Sequence, residues 1–181
     1  MLEREIKLRV PSVDEARAAI IAAGASPLHA RRLQSDTIFD TPDQSVRARG
    51  CTLRVRHDGD QCVLTIKGPS QPGLVKIREE HETMVSDAHA LDAVLRTLGF
   101  EPSFRYEKYR EEYAGAGSVV IAIDETPIGT FVEIEGDVAA ILEMANALGR
   151  SPAEFIVDSY RTLFTLHCEQ FGLTGADMVF R

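Results

Sequence analysis

Two periodicities alternate along the chain. In its first ten residues, MLEREIKLRV, Glu3, Glu5, Lys7 and Arg9 alternate with Arg4, Ile6, Leu8 and Val10, the period-two signature of a strand with one charged and one mostly apolar face. Similar runs predict further strands at about 30–40, 52–57, 62–67, 75–83, 104–113, 119–124 and 131–136, making eight with the first at 3–10. A period near 3.6 predicts four helical segments between and after them. Ser12-x-x-Glu15 opens one as a capping box that closes at Gly24; segments 86–98 and 137–148 stop at Gly99 and Gly149. The last, 151–171, opens on another capping-box pattern, Ser151-Pro-Ala-Glu154, with a break predicted near Asp158-Ser159, where Ser159 would cap a second helix.

Turn-rich stretches join the strands: His57-Asp-Gly-Asp60, Gly68-Pro-Ser-Gln-Pro-Gly73 and Ala114-Gly-Ala-Gly117. With Asp58-Gly59 at the tip of the first, Arg54 would lie opposite Val63 and Arg56 opposite Gln61. Lys67 then falls on the arginine face.

Charge follows one parity in nearly every strand. Arg54 and Arg56 share a face, as do Lys76, Arg78, Glu80 and Glu82, then Lys108, Arg110 and Glu112, then Glu133 and Glu135. Amphipathic helices must bury their stripes, and the apolar strand faces are the large surfaces on offer, so the charged faces point away from the helices. Two arrangements satisfy this: an open sheet that shows its charges to water, or a sheet that closes and encloses them. Arginines set beside carboxylates, with few Ser, Thr, Asn or Gln among them, favour enclosure. An enclosed lining of this kind has a use, because Lys and Arg hold phosphate oxygens while clustered carboxylates hold hard divalent cations. Carboxylates crowded together without a cation would repel one another and resist ionisation.

Composition narrows the class. At 181 residues, 44% hydrophobic and 27% charged, the chain is expected to form a single soluble domain over 1–181. It has no run of 18 apolar residues and is charged from Glu3 onward, so neither a membrane helix nor a secretory signal is expected, and the expected location is cytoplasmic. Cys51, Cys62 and Cys168 suggest neither a disulfide framework nor a thiolate metal site, and the five histidines form no ligand pair. A net charge of −8 argues against a nucleic-acid polymer as partner while leaving room for a local basic pocket.

In order along the chain, Glu3-Arg-Glu-Ile-Lys7, Leu53-Arg-Val-Arg56, Thr65-Ile-Lys67-Gly, Glu79-Glu-His-Glu82, Glu107-Lys-Tyr-Arg110 and Ile123-Asp-Glu followed by Gly129-Thr-Phe-Val-Glu-Ile-Glu135 resemble the CYTH family, the triphosphate tunnel metalloenzymes. Gln34-Ser-Asp36 and Asp158-Ser-Tyr160 are similar to family segments too, whereas Arg32 and Arg78 match less well. The resemblance implies an α+β fold: a closed eight-stranded antiparallel barrel with helices outside and a tunnel for a small-molecule triphosphate with Mg²⁺ or Mn²⁺. It implies catalytic roles for Glu3, Glu5 and Lys7, and phosphate contacts from Lys7, Arg54, Arg56, Lys67, Lys108 and Arg110. For the metal side it implies Glu5, Glu80, Glu82, Asp124, Glu133 and Glu135. Asp124 shares a face with Glu133 and Glu135 only for one parity of the intervening turn, which the sequence leaves open.

The resulting expectation is a divalent-metal-dependent triphosphatase, with a class IV adenylyl cyclase that turns ATP into cyclic AMP and pyrophosphate as the alternative. A noncatalytic polyphosphate-binding module would tolerate loss of the acids, yet both glutamates of the first strand and both of Glu133-Ile-Glu135 are present. A purely structural salt-bridged barrel would bury many charges at high cost without a ligand. A homodimer is compatible with the chain.

Overall fold

The structure, a computed structural model, describes residues 1–181. Its strands are β1 (Leu2–Val10), β2 (Ser26–Asp40), β3 (Thr52–Asp58), β4 (Gln61–Lys67), β5 (Lys76–Val85), β6 (Glu101–Ala114), β7 (Val120–Thr126) and β8 (Gly129–Glu135). Five helices accompany them: α1 (Val13–Ala22), α2 (Ser45–Ala48), α3 (Ala88–Thr97), α4 (Val138–Ala147) and α5 (Tyr160–Phe171). The strands close into an antiparallel barrel in the order β1-β5-β4-β3-β2-β6-β7-β8. Closure removes both sheet edges and gives every strand an inside and an outside.

The apolar parity faces out. Ile6, Leu8, Ile121 and Ile134 meet Ala16 and Ile20 of α1 and Ile141, Met144 and Ala145 of α4 in the main core. Each large aliphatic side chain so buried contributes roughly 1.5–3 kcal/mol, which is what clamps these helices to the β1–β8–β7 wall. α3 covers a second patch through Leu95, packed with Val55 and Cys62. The third cluster lies inside one end of the barrel, where inward-facing Ile38, Phe104, Tyr106 and Phe131 meet Tyr160 and Leu163 of α5. Charge therefore does not line the whole interior: one end is an aromatic plug.

Several boundaries differ from the periodicity. β2 begins at Ser26 and β6 at Glu101, because these two strands pair along nearly their full length through register shifts that periodicity does not reveal. α2 was not predicted; its backbone N–H groups at Val46 and Arg47 are held by the Asp40 carboxylate. Residues 151–171 are not one broken helix. A single 3₁₀ turn, Pro152–Glu154, follows the capping box, and the chain then runs extended, with Ile156 exchanging two 2.9 Å backbone hydrogen bonds with Lys7. That bridge pairs β1 beyond Glu5, the last β1 residue paired with β5. Ser159 caps α5 as expected, accepting from the Thr162 N–H at 3.1 Å.

The β3–β4 hairpin is shifted from its expected register. Arg56 pairs with Val63 and Arg54 with Thr65, since the loop is Gly59-Asp60 and Gly59 supplies the positive φ of +59°. The shift is two residues, so every side chain keeps its face. In β7–β8, Asp124 pairs with Phe131 and Ala122 with Glu133, which places Asp124 on the face of Glu133 and Glu135.

Candidate active site

Alternation and closure carry the charged parity into the barrel. Glu3, Glu5, Lys7, Arg54, Lys67, Glu80, Lys108, Arg110 and Asp124 are all buried, and a cavity of about 710 Å³ runs among them. Of the residues singled out in the sequence, Glu3, Glu5, Lys7, Arg54, Arg56, Lys67, Glu80, Glu82, Lys108, Arg110, Glu133 and Glu135 line this cavity. Asp124 lies behind its wall, fully buried, and Glu82 stands exposed at the rim without an ion pair.

On the β2–β3 and β6–β7 side, acids and bases are matched. Arg56 donates to both oxygens of Asp36 at 2.9 and 3.2 Å, and the two arginines together hold the Asp36 carboxyl below its usual range against the opposing effect of burial. Arg54 stands 3.5 Å from Asp36 and 3.7 Å from Glu80, donates one hydrogen bond to Thr65, and its buried Nε has no hydrogen-bond partner. Asp124 is saturated: Arg110 donates to both oxygens at 2.6 Å, Lys108 at 2.8 Å and the Tyr160 hydroxyl at 2.7 Å. Burial and the neighbouring Arg110 bring the Lys108 amine down to about 8, despite Asp124 and Glu133.

On the β1–β5–β8 side the balance is different. Lys67 bridges Glu3 and Glu80, Arg78 donates to Glu3 at 2.7 Å, and Lys7 and Lys76 donate to Glu5 at 2.9 and 3.0 Å. Burial and Glu133 push Glu5 upward, but Lys7, Lys76 and Lys67 hold it well below the carboxylate range. Glu135 has no such partner. Although its side chain reaches solvent, burial among protein atoms and the negative Glu3 and Glu5 raise it to about 7. The Lys76 amine is lowered to about 8 by burial, with Lys7 and Arg78 adding repulsion that Glu5 only partly offsets.

Lys76, Arg78, Asp36, Tyr106 and Tyr160 belong to the site although the sequence did not mark them as binding residues. Lys76 and Arg78 share the parity of Glu80 and Glu82, so their signal was present. Asp36 and Tyr160 lie in the two short family-like segments; periodicity marks Tyr160 only as part of the apolar side of the last helix, and it enters from the first turn of that helix, outside the barrel.

No three His, Cys, Asp or Glu side chains, as arranged, form a ready-made metal cage. The chemistry of the donor set still fits a hard cation. Mg²⁺ keeps most of its waters and takes one or two carboxylates plus substrate phosphates, and Glu135, unpaired beside the ion-paired Glu3 and Glu5, is a carboxylate with no cation of its own.

Comparison with known proteins agrees with this geometry. The CYTH domain matches residues 1–160, which contain the whole barrel and the first residue of α5. The chain belongs to the CYTH family. Adenylate cyclase CyaB of Aeromonas hydrophila is 30% identical to this CYTH protein over 181 residues, covering 93% of this chain and 89% of that one. The PH1819 protein of Pyrococcus horikoshii superimposes with a TM-score of 0.75 at 25% identity, covering 91% of this chain and 98% of its own. The Hippeastrum protein HpAC1, described as a candidate adenylyl cyclase that reveals a dominant triphosphatase activity, shares the fold with a TM-score of 0.64 at 19% identity, covering 96% of this chain and 97% of its own. No helix of this CYTH protein is long and apolar enough to cross a membrane.

Proposed function

We propose that this CYTH protein hydrolyses a small triphosphate with the help of Mg²⁺ or Mn²⁺. The observation that carries the reading is one enclosed cavity lined by both cations and carboxylates. Arg54, whose Nε stands 3.5 Å from Asp36 without a hydrogen bond, lines the same cavity as Glu135, which lacks a counter-ion. A polyphosphate bound with a cation satisfies both at once.

Lys7, Arg54, Arg56, Lys67, Lys108 and Arg110 would grip the phosphate oxygens, and Lys76 and Arg78, on β5 beside Glu5 and Glu3, would join them. Glu3, Glu5 and Glu135 would hold the cation, which would supply charge neutralisation on the phosphate chain. Glu80 and Glu133 are tied to Lys67 and Arg110 and would orient these cations; Asp124 would do the same from behind the wall. Attack on the terminal phosphorus needs a positioned water and charge stabilisation rather than a covalent nucleophile, and the Glu135 carboxylate would orient that water. The shared fold of HpAC1 supports hydrolysis as chemistry that such a barrel can host.

The second reading, adenylyl cyclase, is favoured by the name of the Aeromonas relative. In it the ribose 3′-hydroxyl replaces water and pyrophosphate leaves. The test is product analysis: the purified protein is incubated with tripolyphosphate and, separately, ATP, with Mg²⁺ or Mn²⁺. Orthophosphate release supports hydrolysis, and cyclic AMP with pyrophosphate supports cyclisation. Full activity of a metal-stripped Glu133→Ala/Glu135→Ala variant would sink both.

A further inference from the structure

Tyr160 reaches into the barrel from outside it. It is the first residue of α5, fixed in place from two directions: Ser159 caps the helix, and the Ile156–Lys7 backbone bridge ties the preceding segment to β1. From there its hydroxyl donates to Asp124 Oδ2 at 2.7 Å, on the oxygen that also accepts from Lys108 and Arg110. Its ring lies under two cations, with Lys7 Nζ 5.4 Å and Lys108 Nζ 5.2 Å from the centroid, and packs edge-on to Phe131 at 5.6 Å. One side chain thus touches the carboxylate that orients Lys108 and Arg110, and the face of two of the amines themselves.

We propose that Tyr160 is a positioning residue: through Asp124 and through its ring it holds Lys7, Lys108 and Arg110 in the arrangement that receives the phosphates. The proposal rests on the triphosphate reading of the cavity. Both parts of the side chain contribute, by different physics. The hydroxyl adds a third donor to Asp124, so that Lys108 and Arg110 are held on a carboxylate that cannot swing. The ring stabilises two ammonium groups from below without accepting a hydrogen bond from either, so the donors that Lys7 does not give to Glu5 and Lys108 does not give to Asp124 are left for phosphate oxygens. A carboxylate in place of the ring would neutralise them instead.

The experiment compares Tyr160→Phe and Tyr160→Leu, each alone and with Asp124→Asn, by calorimetric titration with tripolyphosphate, steady-state kinetics and thermal unfolding. Tyr160→Phe keeps the ring and its packing; its affinity for tripolyphosphate is expected to fall about tenfold, the worth of a hydrogen bond to a charged group. The fall should appear in KM more than in kcat. Tyr160→Leu should fall further, and Phe should restore the difference. In the Asp124→Asn background, Tyr160→Phe should cost little more, because the hydroxyl acts through that carboxylate. Unchanged affinity and KM in Tyr160→Phe, or effects of the two substitutions that simply add, would overturn the proposal. Should the wild-type protein bind no triphosphate, the functional reading fails on its own. That result would overturn the phosphate-receiving role of Tyr160 as well, while a non-additive loss of Tm in the same variants would still show the Tyr160–Asp124 contact itself.

Discussion

The two sides of the tunnel are built from the same residue types and behave differently. Around Asp36 and Asp124 each carboxylate is enclosed by arginine, lysine or tyrosine donors. Around Glu3, Glu5 and Glu135 the cations Lys7, Lys67, Lys76 and Arg78 are all engaged by Glu3, Glu5 and Glu80, and Glu135 is left without a partner to resist ionisation. Pairing makes the first side a rigid cationic frame, since a carboxylate that accepts three donors fixes all three. Crowding makes the second side a place where a cation gains energy by binding. On the proposed reading the matched wall offers Arg54, Arg56, Lys108 and Arg110 to the phosphates, while the crowded wall offers the carboxylates for the metal together with Lys7, Lys67, Lys76 and Arg78.

The largest expected effect comes from breaking the matched side. Asp124→Ala leaves Lys108 and Arg110 buried without their shared partner and should cost about 3–5 kcal/mol of stability, read by denaturant unfolding. Next, Arg56→Ala should lower kcat/KM for a triphosphate about a hundredfold, as expected when one member of a buried hydrogen-bonded charge pair is truncated. On the crowded side, Glu135→Gln should raise the half-saturating Mg²⁺ concentration about tenfold with little change in triphosphate KM, a split that assays at varied metal will show.

The same glutamate gives a pH test with a definite sign. Its folded value near 7 lies above the ordinary 4.5, so the native protein keeps a proton that the unfolded chain releases. Its contribution to stability is therefore lost as pH rises from about 4.5 to about 7 and stays absent above that. In metal-free buffer the Tm of Glu135→Gln should exceed that of wild type by a margin that grows across this window, and Mg²⁺ should narrow it. Lys76, lowered to about 8, works in the alkaline range: its penalty fades as pH rises from about 8 toward 10.5. The smallest effect is Ser159→Ala, which removes the cap of α5 and should cost about 1 kcal/mol in thermal unfolding.

Much of this contrast was legible before the fold was known. Glu3, Glu5 and Lys7 alternate with Ile6 and Leu8, and the structure buries the two sets on opposite faces of β1. Parity survives even a register error, as the β3–β4 hairpin shows: a two-residue shift moved each partner but no side chain changed face. Closure was not contained in the periodicity, because an open sheet has the same alternation; the ordered family resemblance supplied it. Lys76 and Arg78 have the right parity, but Arg78 matches the family pattern less well and Lys76 lies outside the segments that resemble the family. Periodicity puts Tyr160 on the apolar side of the last helix with Leu163, Phe164 and Phe171, but its entry into the lumen depends on a tertiary event, the docking of an extended segment beside Lys7. Nor could the sequence say that Asp124 is saturated while Glu135 is bare, because that depends on which cations reach which oxygens across the lumen.

The division of labour between the two walls can be read directly from crystals grown with tripolyphosphate and Mn²⁺, measured at the manganese absorption edge. The expected map places the anomalous peak against the carboxylates of Glu3, Glu5 and Glu135, with the phosphorus chain running along Arg54, Arg56 and Lys108. Manganese seated on Asp36 or Asp124, or a triphosphate lying outside the barrel, would contradict it.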